Sequence, residues 1–322
     1  LRDYLEHGMT TVAVSSPYYF QWNADGSPRL EHLKAFLRAS REAGFTRPVC
    51  WYFGHYVQAA KQQHPGNLRL YDREIMPRRA ERLVREALRL DRELDAPQLY
   101  FMPIDEPREA PRKKMTLELL TAVKKFPGAR TQVTTDIGGK LLDIENDVFG
   151  SQRLKPGQFV RQSPRKVWEY NNESISTLNP CYSRYIYGLY TWRHDLDGMN
   201  SWGPATTENS RGNPFEDLDH ESPDYVLIYP HAGRPWPSVN WEAVREGIDD
   251  VRYIYQLEKL IHDKGQAAPQ ETAAAAQWLN ELRGRCDFDE GIMQREAGPW
   301  TPESFDTLRR DIQHWIVRLQ GR

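Results

Sequence analysis

The chain has 322 residues, with 43 Lys and Arg against 45 Asp and Glu, a net charge of −2 mixed along its length. It therefore offers no one-signed block to nucleic acid or an anionic bilayer. No run approaches the roughly 18 unbroken apolar residues of a membrane span, and the opening LRDYLEHGMT lacks an apolar signal core. That pattern reads as a soluble chain, and a signal peptide already removed on export to the periplasm or on secretion would leave no trace in it. Cys50, Cys181 and Cys286 are far apart, without CxxC or Cys/His spacing, so neither a disulfide framework nor a structural zinc site is indicated, and they read as ordinary buried thiols. The nine His residues show no HxH or HExxH pattern, so neither a metal nor another cofactor is expected.

In chain order, TTVAVSS (10–16) reads as a strand, followed by a helix over 30–44 with Leu30, Leu33, Phe36 and Leu37 on one face and Gly44 as its stop. PVCWYFG (48–54) is the next strand. A long helix from about Pro77 to Leu94 carries Ala80, Leu83, Val84, Ala87 and Leu88 at helical spacing and leads into the strand 98–105. A helix at about 115–125 precedes strands at 130–135, 166–171, 187–192 and 225–230, and LLDIENDVF (141–149) can hide an eighth. The alternation predicts parallel strands with crossover helices. Seven or eight strands favour an α/β fold of the (β/α)8 TIM-type barrel, irregular in places, over a doubly wound sheet, and no Gly-rich phosphate loop follows any strand.

Beyond the last strand, 237–265 has the strongest helical pattern of the chain, with Ser238 as cap, a buried stripe from Trp241 to Ile261 and Gly265 as its end. Helices at 271–283 and 302–319 follow. The expected organisation is a barrel over 1–265 and a helical extension over 266–322, with the Gly- and Pro-rich interval 193–224 inserted at a strand's C-terminal end.

In a barrel the residues just past each strand face the catalytic mouth. Here they are Ser15–Ser16, Gly54–His55, Asp105–Glu106, Thr135–Asp136, Asn171–Asn172–Glu173, Trp192–Arg193–His194 and Pro230–His231. Asp105 and Glu106 are the most informative. Two neighbouring carboxylates in a restricted mouth repel, so one is expected to keep its proton near neutrality, which is the state required of an acid that protonates a leaving oxygen. Neighbouring side chains on a regular strand point to opposite faces, so both reach one ligand only where the strand breaks. Pro107 supplies the break and is expected to hold Glu106 extended. The same Asp-Glu-Pro also fits a turn that opens the next helix, with Pro107 as its first residue. The 10 Trp and 16 Tyr stand out in an otherwise polar chain; flat rings with one polar handle suit partly wet surfaces and match the C–H faces of sugars.

A strand ending in Asp-Glu-Pro, then YIYGLYTWRHDLDGMNSWGP (185–204), then YVLIYPHAGRPWPSVNWEAVREGIDDVRYIYQLEKL (225–260) resembles the catalytic region of glycoside hydrolase family 123. The shared features are Tyr229–Pro230, Ser238 and the helix Arg245-Glu246-Gly247-Ile248-Asp249-Asp250, within a resemblance over about 95–260. It implies a retaining, exo-acting β-N-acetylhexosaminidase of the β-N-acetylgalactosaminidase type on a carbohydrate substrate, working by substrate assistance. By that likeness Glu106 is the general acid/base, and Asp105 orients the 2-acetamido group and stabilises the oxazolinium ion. Tyr190, Trp192 and Trp202 are then candidates for the aromatic walls, with Tyr170, Asn171 and Asn172 as hydrogen-bonding partners. His55, Asp136, Glu173 and His231 complete the expected substrate-binding set. The chain departs from the family's pattern in three ways. It opens almost at once on a barrel strand, where members carry an N-terminal β-sandwich. His231 replaces the glycine after Tyr-Pro. The helix reads IDDVRYIY where an acidic-Tyr pair is commoner.

Two other readings stay open on the residues. On a sugar without an acetamido group, Glu173 would serve as nucleophile opposite Glu106, at a carboxyl separation of about 5–5.5 Å. A carbohydrate-binding barrel without activity is the other, because a fold does not fix an activity.

Overall fold

The structure, a computed structural model, describes residues 1–15, 22–23, 25–54, 75–107, 110–134, 148–151, 166–170, 179–201, 205–206, 225–229, 235–286 and 296–321. The chain forms two compact units, Leu1–Glu169 and Tyr170–Arg322. In the first, α1 (Arg2–Glu6), β1 (Val12–Ser15), α2 (Glu31–Ala43), β2 (Val49–Tyr52), α3 (Ile75–Leu94), β3 (Leu99–Met102), α4 (Ala110–Lys124), β4 (Arg130–Thr134), β5 (Val148–Ser151) and β6 (Lys166–Tyr170) follow one another. Each of the strands β1 to β6 pairs in parallel with the next. The expected α/β fold of parallel strands, barrel-like and irregular, is therefore present; of the stretch 141–149, only Val148 and Phe149 are described, and they begin β5.

Register decides which side chains share a face, because partners in adjacent strands point the same way and alternate along each strand. Val12, Val14, Val49, Trp51, Phe53, Leu99 and Phe101 form one face and pack against Leu33 and Leu37 of α2, Ala80, Leu83, Val84 and Ala87 of α3, and Leu119, Ala122 and Val123 of α4. Trp51, Phe53 and Phe101 meet with ring centroids 5.8–6.2 Å apart. Burying each such large apolar side chain contributes about 1.5–3 kcal/mol. The opposite face brings Cys50 of β2 and Tyr100 of β3 against Trp168 of β6. That contact skips over β4 and β5, so the sheet curls with this face inside. Gln132 and Thr134 of β4 are buried on the same inner face.

The second unit is mainly helical: α5 (Pro180–Tyr185), a π-helical turn (Ile186–Tyr190), α6 (Thr191–Arg193), α7 (Val239–Lys264), α8 (Pro269–Arg285) and α9 (Pro302–Gln320). Asn179 caps α5 with its side chain on the Cys181 amide, Ser238 caps α7 on the Trp241 amide, and Thr301 and Ser304 form a capping box on α9. Short strands β7 (Gly198–Asn200), β8 (Ala205–Thr206), β9 (Tyr225–Val226), β10 (Ile228–Tyr229) and β11 (Trp236–Pro237) lie between α6 and α7.

Two expected strands differ from what forms. Residues 187–192 are helical, because the buried set Tyr182, Tyr185, Ile186, Leu189 and Tyr190 follows a helical repeat and Asn179–Pro180 starts a helix. The stretch 225–230 gives, over its described residues, two short strands that pair antiparallel, β9 with β8 and β10 with β11. Among the described residues no helix is long and apolar enough to cross a membrane.

Candidate active site

β3 stops at Met102, and the chain continues through buried Pro103 and Ile104 to Asp105 and Glu106, both partly exposed. Gly54, just past β2, lies against this exit: a Cβ there would sit 2.3 Å from the Pro103 carbonyl oxygen, so only glycine fits. Glu106 has a φ of +44°, in the left-handed region. The extended backbone expected for a residue before proline is therefore not adopted, because the turn at 105–106 is held by partners that outweigh the steric preference. A non-glycine residue in that region costs on the order of 1–3 kcal/mol, and Asp95 and Asp195 adopt it as well.

Two elements hold the turn. The Thr134 hydroxyl, at the end of β4, donates to Asp105 Oδ1 at 2.6 Å and accepts the Glu106 backbone N–H at 3.1 Å. Arg112, in the first turn of α4, donates from Nη2 to the Asp105 carbonyl at 2.8 Å. Thr134 has no exposed surface. The register Tyr100↔Arg130 and Phe101↔Thr131, continued along both strands, sets Thr134 level with Ile104, one residue before the acid pair. Deeper on the same inner face, the Gln132 carboxamide and the Trp168 Nε1 are buried and, among the described residues, have no hydrogen-bond partner.

Of the other expected residues, Tyr170 ends β6 and is buried. Tyr190 is buried in the π-helical turn, its ring 6.1 Å from Tyr185 and 4.5 Å from His194. Trp192 is 1% exposed, donates from Nε1 to Glu258 at 2.8 Å and lies under the Arg283 guanidinium at 4.5 Å. Both are thus engaged in packing within the second unit. His55, Asp136, Asn171, Asn172, Glu173, Trp202 and His231 lie outside the described residues. Thr134 is a residue that the sequence does not single out, since the strand end predicted there is one position later, at Thr135–Asp136. Among the described residues no group of three or more His, Cys, Asp or Glu is placed to hold a metal ion.

The second unit carries the helix with the sequence signature. Asp250 is completely buried and receives Arg184 on both oxygens, at 2.7 and 3.0 Å, while Arg309 reaches both Asp250 and Glu246. Gly188 and Gly247 face each other where α5 and the π-helical turn cross α7; a Cβ on Gly247 would lie 2.3 Å from the Arg184 carbonyl oxygen. The signature Arg245–Asp250 is therefore a packing and ion-pair device.

Residues 166–257 match the family glycoside hydrolase 123, catalytic domain. Asp105 and Glu106 fall outside that match. No curated protein sequence matches the chain. Among solved structures, a family 123 glycoside hydrolase from Clostridium perfringens, studied for glycolipid glycan hydrolysis, superposes with a TM-score of 0.57 at 12% identity, covering 97% of this chain and 64% of that one. The present chain thus spans less than two thirds of that protein's length. One of two fungal β-1,4-galactanases has a TM-score of 0.48 at 13% identity, over 75% of this chain and 90% of its own. The family match supports a glycosidase. Residues 166–257 thus resemble the catalytic domain of glycoside hydrolase family 123, and the fold of the chain resembles that of the Clostridium perfringens enzyme.

Proposed function

We propose that the chain is a retaining, exo-acting β-N-acetylhexosaminidase of the β-N-acetylgalactosaminidase type that works by substrate assistance. Glu106 protonates the glycosidic oxygen as the bond to the anomeric carbon breaks. The substrate's own acetamido oxygen forms the new bond to that carbon, giving an oxazolinium ion, and Asp105 orients the acetamido group and balances the positive charge. Water then opens the ion at the anomeric carbon while Glu106 takes up the water proton, so the acid is restored and configuration is retained. No nucleophile from the protein is needed.

The observation that carries this reading is the environment of the pair. Asp105 accepts a short hydrogen bond from Thr134 while Glu106, its neighbour, stands in a strained turn at a strand exit. Two adjacent carboxyl groups in unlike surroundings are what separates an anion from an acid. The test is release of p-nitrophenol from β-GalNAc, β-GlcNAc and β-galactoside substrates. The β-GalNAc substrate is expected to turn over fastest, and Glu106→Gln to lower kcat by roughly 10²–10⁴-fold. Equal rates for Glu106→Gln and wild type, or a faster β-galactoside, would sink the proposal.

A further inference from the structure

We infer that Thr134 is a positioning residue that fixes which member of the acid pair carries the charge and which carries the proton. This rests on the hydrolase reading above and adds a residue to it.

A hydroxyl has one hydrogen to give and two lone pairs to offer. The Glu106 backbone N–H can only donate, so Thr134 Oγ1 accepts it. The single hydroxyl hydrogen goes to Asp105 Oδ1, which accepts it. The separation of 2.6 Å lies in the range of hydroxyls donating to an ionised carboxylate, a bond about twice as strong as one between neutral groups. A bond to the charged form favours that form. Asp105 is thereby kept as the anion, and a second anion at Glu106 is opposed by its neighbour's charge. The proton stays on Glu106, where the departing oxygen needs it.

The same hydroxyl anchors the backbone of Glu106 against the pull of its left-handed φ. Thr134 can do this because its surroundings hold it in place. It is fully buried, it belongs to β4 between strands paired on both sides, and its branched Cβ restricts the first torsion. Arg112, on the Asp105 carbonyl, braces the turn from the helix side.

The experiment compares wild type, Thr134→Val, Thr134→Ser and Glu106→Gln on β-GalNAc glycosides with a good leaving group (2,4-dinitrophenyl) and a poor one (methyl), alongside thermal unfolding. Thr134→Val keeps the shape and loses both hydrogen bonds. Its kcat on the methyl glycoside should fall roughly tenfold to a hundredfold, the loss expected when one or two such bonds are removed, with KM little changed. The loss should be smaller on the dinitrophenyl glycoside, which needs less help from an acid. Thr134→Ser keeps the hydroxyl and should restore most of the rate. A Thr134→Val enzyme unimpaired on the methyl glycoside, beside an inactive Glu106→Gln, overturns the positioning role and leaves the hydrolase reading standing. So does a loss that is equal for both leaving groups, or one that serine does not rescue, since either marks a merely structural residue. A wild type inactive on all of these substrates overturns both.

Discussion

Asp91 lies in the last turns of α3 with Oδ1 buried and, among the described residues, without a hydrogen-bond partner. Burial lifts its carboxyl to about 6, against smaller downward pulls from the Arg92 charge and the Leu99 backbone amide. The folded value is thus raised above the unfolded value of about 3.9. The favourable contribution of the protonated group is complete below about pH 4 and is lost as pH rises through 6, where the folded protein must ionise a half-buried acid. A shift of this size corresponds to about 3 kcal/mol, and because the carboxyl is partly exposed to screening solvent, about 1 kcal/mol is the fair expectation. Asp91→Asn should therefore stabilise the protein by about that much at pH 7.5. The gain should shrink as pH falls through 6 towards 4.5, and thermal melts across that range read it directly. A gain that does not change with pH would count against burial as the cause. Asp105 differs in that a buried hydroxyl donates to its carboxylate, whereas the buried Oδ1 of Asp91 has no hydrogen-bond partner among the described residues.

At the scale of elements, the tightest constraint is the crossing of α7 with α5 and the π-helical turn. Gly188 has φ −104° and ψ −105°, outside helical values, and its Cβ position lies 3.0 Å from the Gly247 carbonyl oxygen. Gly247→Ala forces the two segments apart and with them the Arg184–Asp250 pair, whose acid has 1% side-chain exposure. Overpacking alone costs about 1–3 kcal/mol, and loosening a buried ion pair adds to it. Urea unfolding of Gly247→Ala should show a lowered midpoint at an unchanged slope, whereas Gly284→Ala, at a position with open space, should be close to neutral. The sequence made α2, α3, α7 and α9 legible because their apolar stripes repeat every three to four residues and Gly44, Ser238 and Thr301 mark their ends. It misled at 187–192, where Tyr, Leu and Trp raise strand propensity while the helical repeat that decides the matter begins earlier, at Tyr182. The acid pair was legible because it breaks an apolar strand. Thr134 was not, since a threonine ending a buried strand has no signature, and its link to Asp105 exists only through the β3–β4 register.

Across the whole molecule, each compact unit holds one deeply buried thiol, and this makes the chain its own reporter of folding. Cys50 lies on the inner face of the curled sheet of the first unit, packed with Tyr100 and Trp168, and burial pushes its thiol up to about 12. Cys286 follows α8 in the second unit, its carbonyl bonded by the Tyr185 hydroxyl, and burial raises it likewise to about 12 despite the nearby Arg193, Arg285 and Arg283. Cys181, in the first turn of α5, is only partly buried, and its smaller upward shift comes from burial and Glu303 against the opposing Arg184. Only the thiolate attacks, so thiol reactivity follows both access and ionisation. In native buffer at pH 8, a disulfide reagent should therefore label Cys181 first and slowly, and leave Cys50 and Cys286 unlabelled. As urea is added, Cys50 and Cys286 should each become reactive only when its own unit opens, since local opening of a core element approaches the free energy of the unit that contains it. Peptide mapping by mass spectrometry separates the three sites. Equal labelling of all three in the absence of urea would mean that the cores around Cys50 and Cys286 do not exclude solvent, and the packing of both units as described would be wrong.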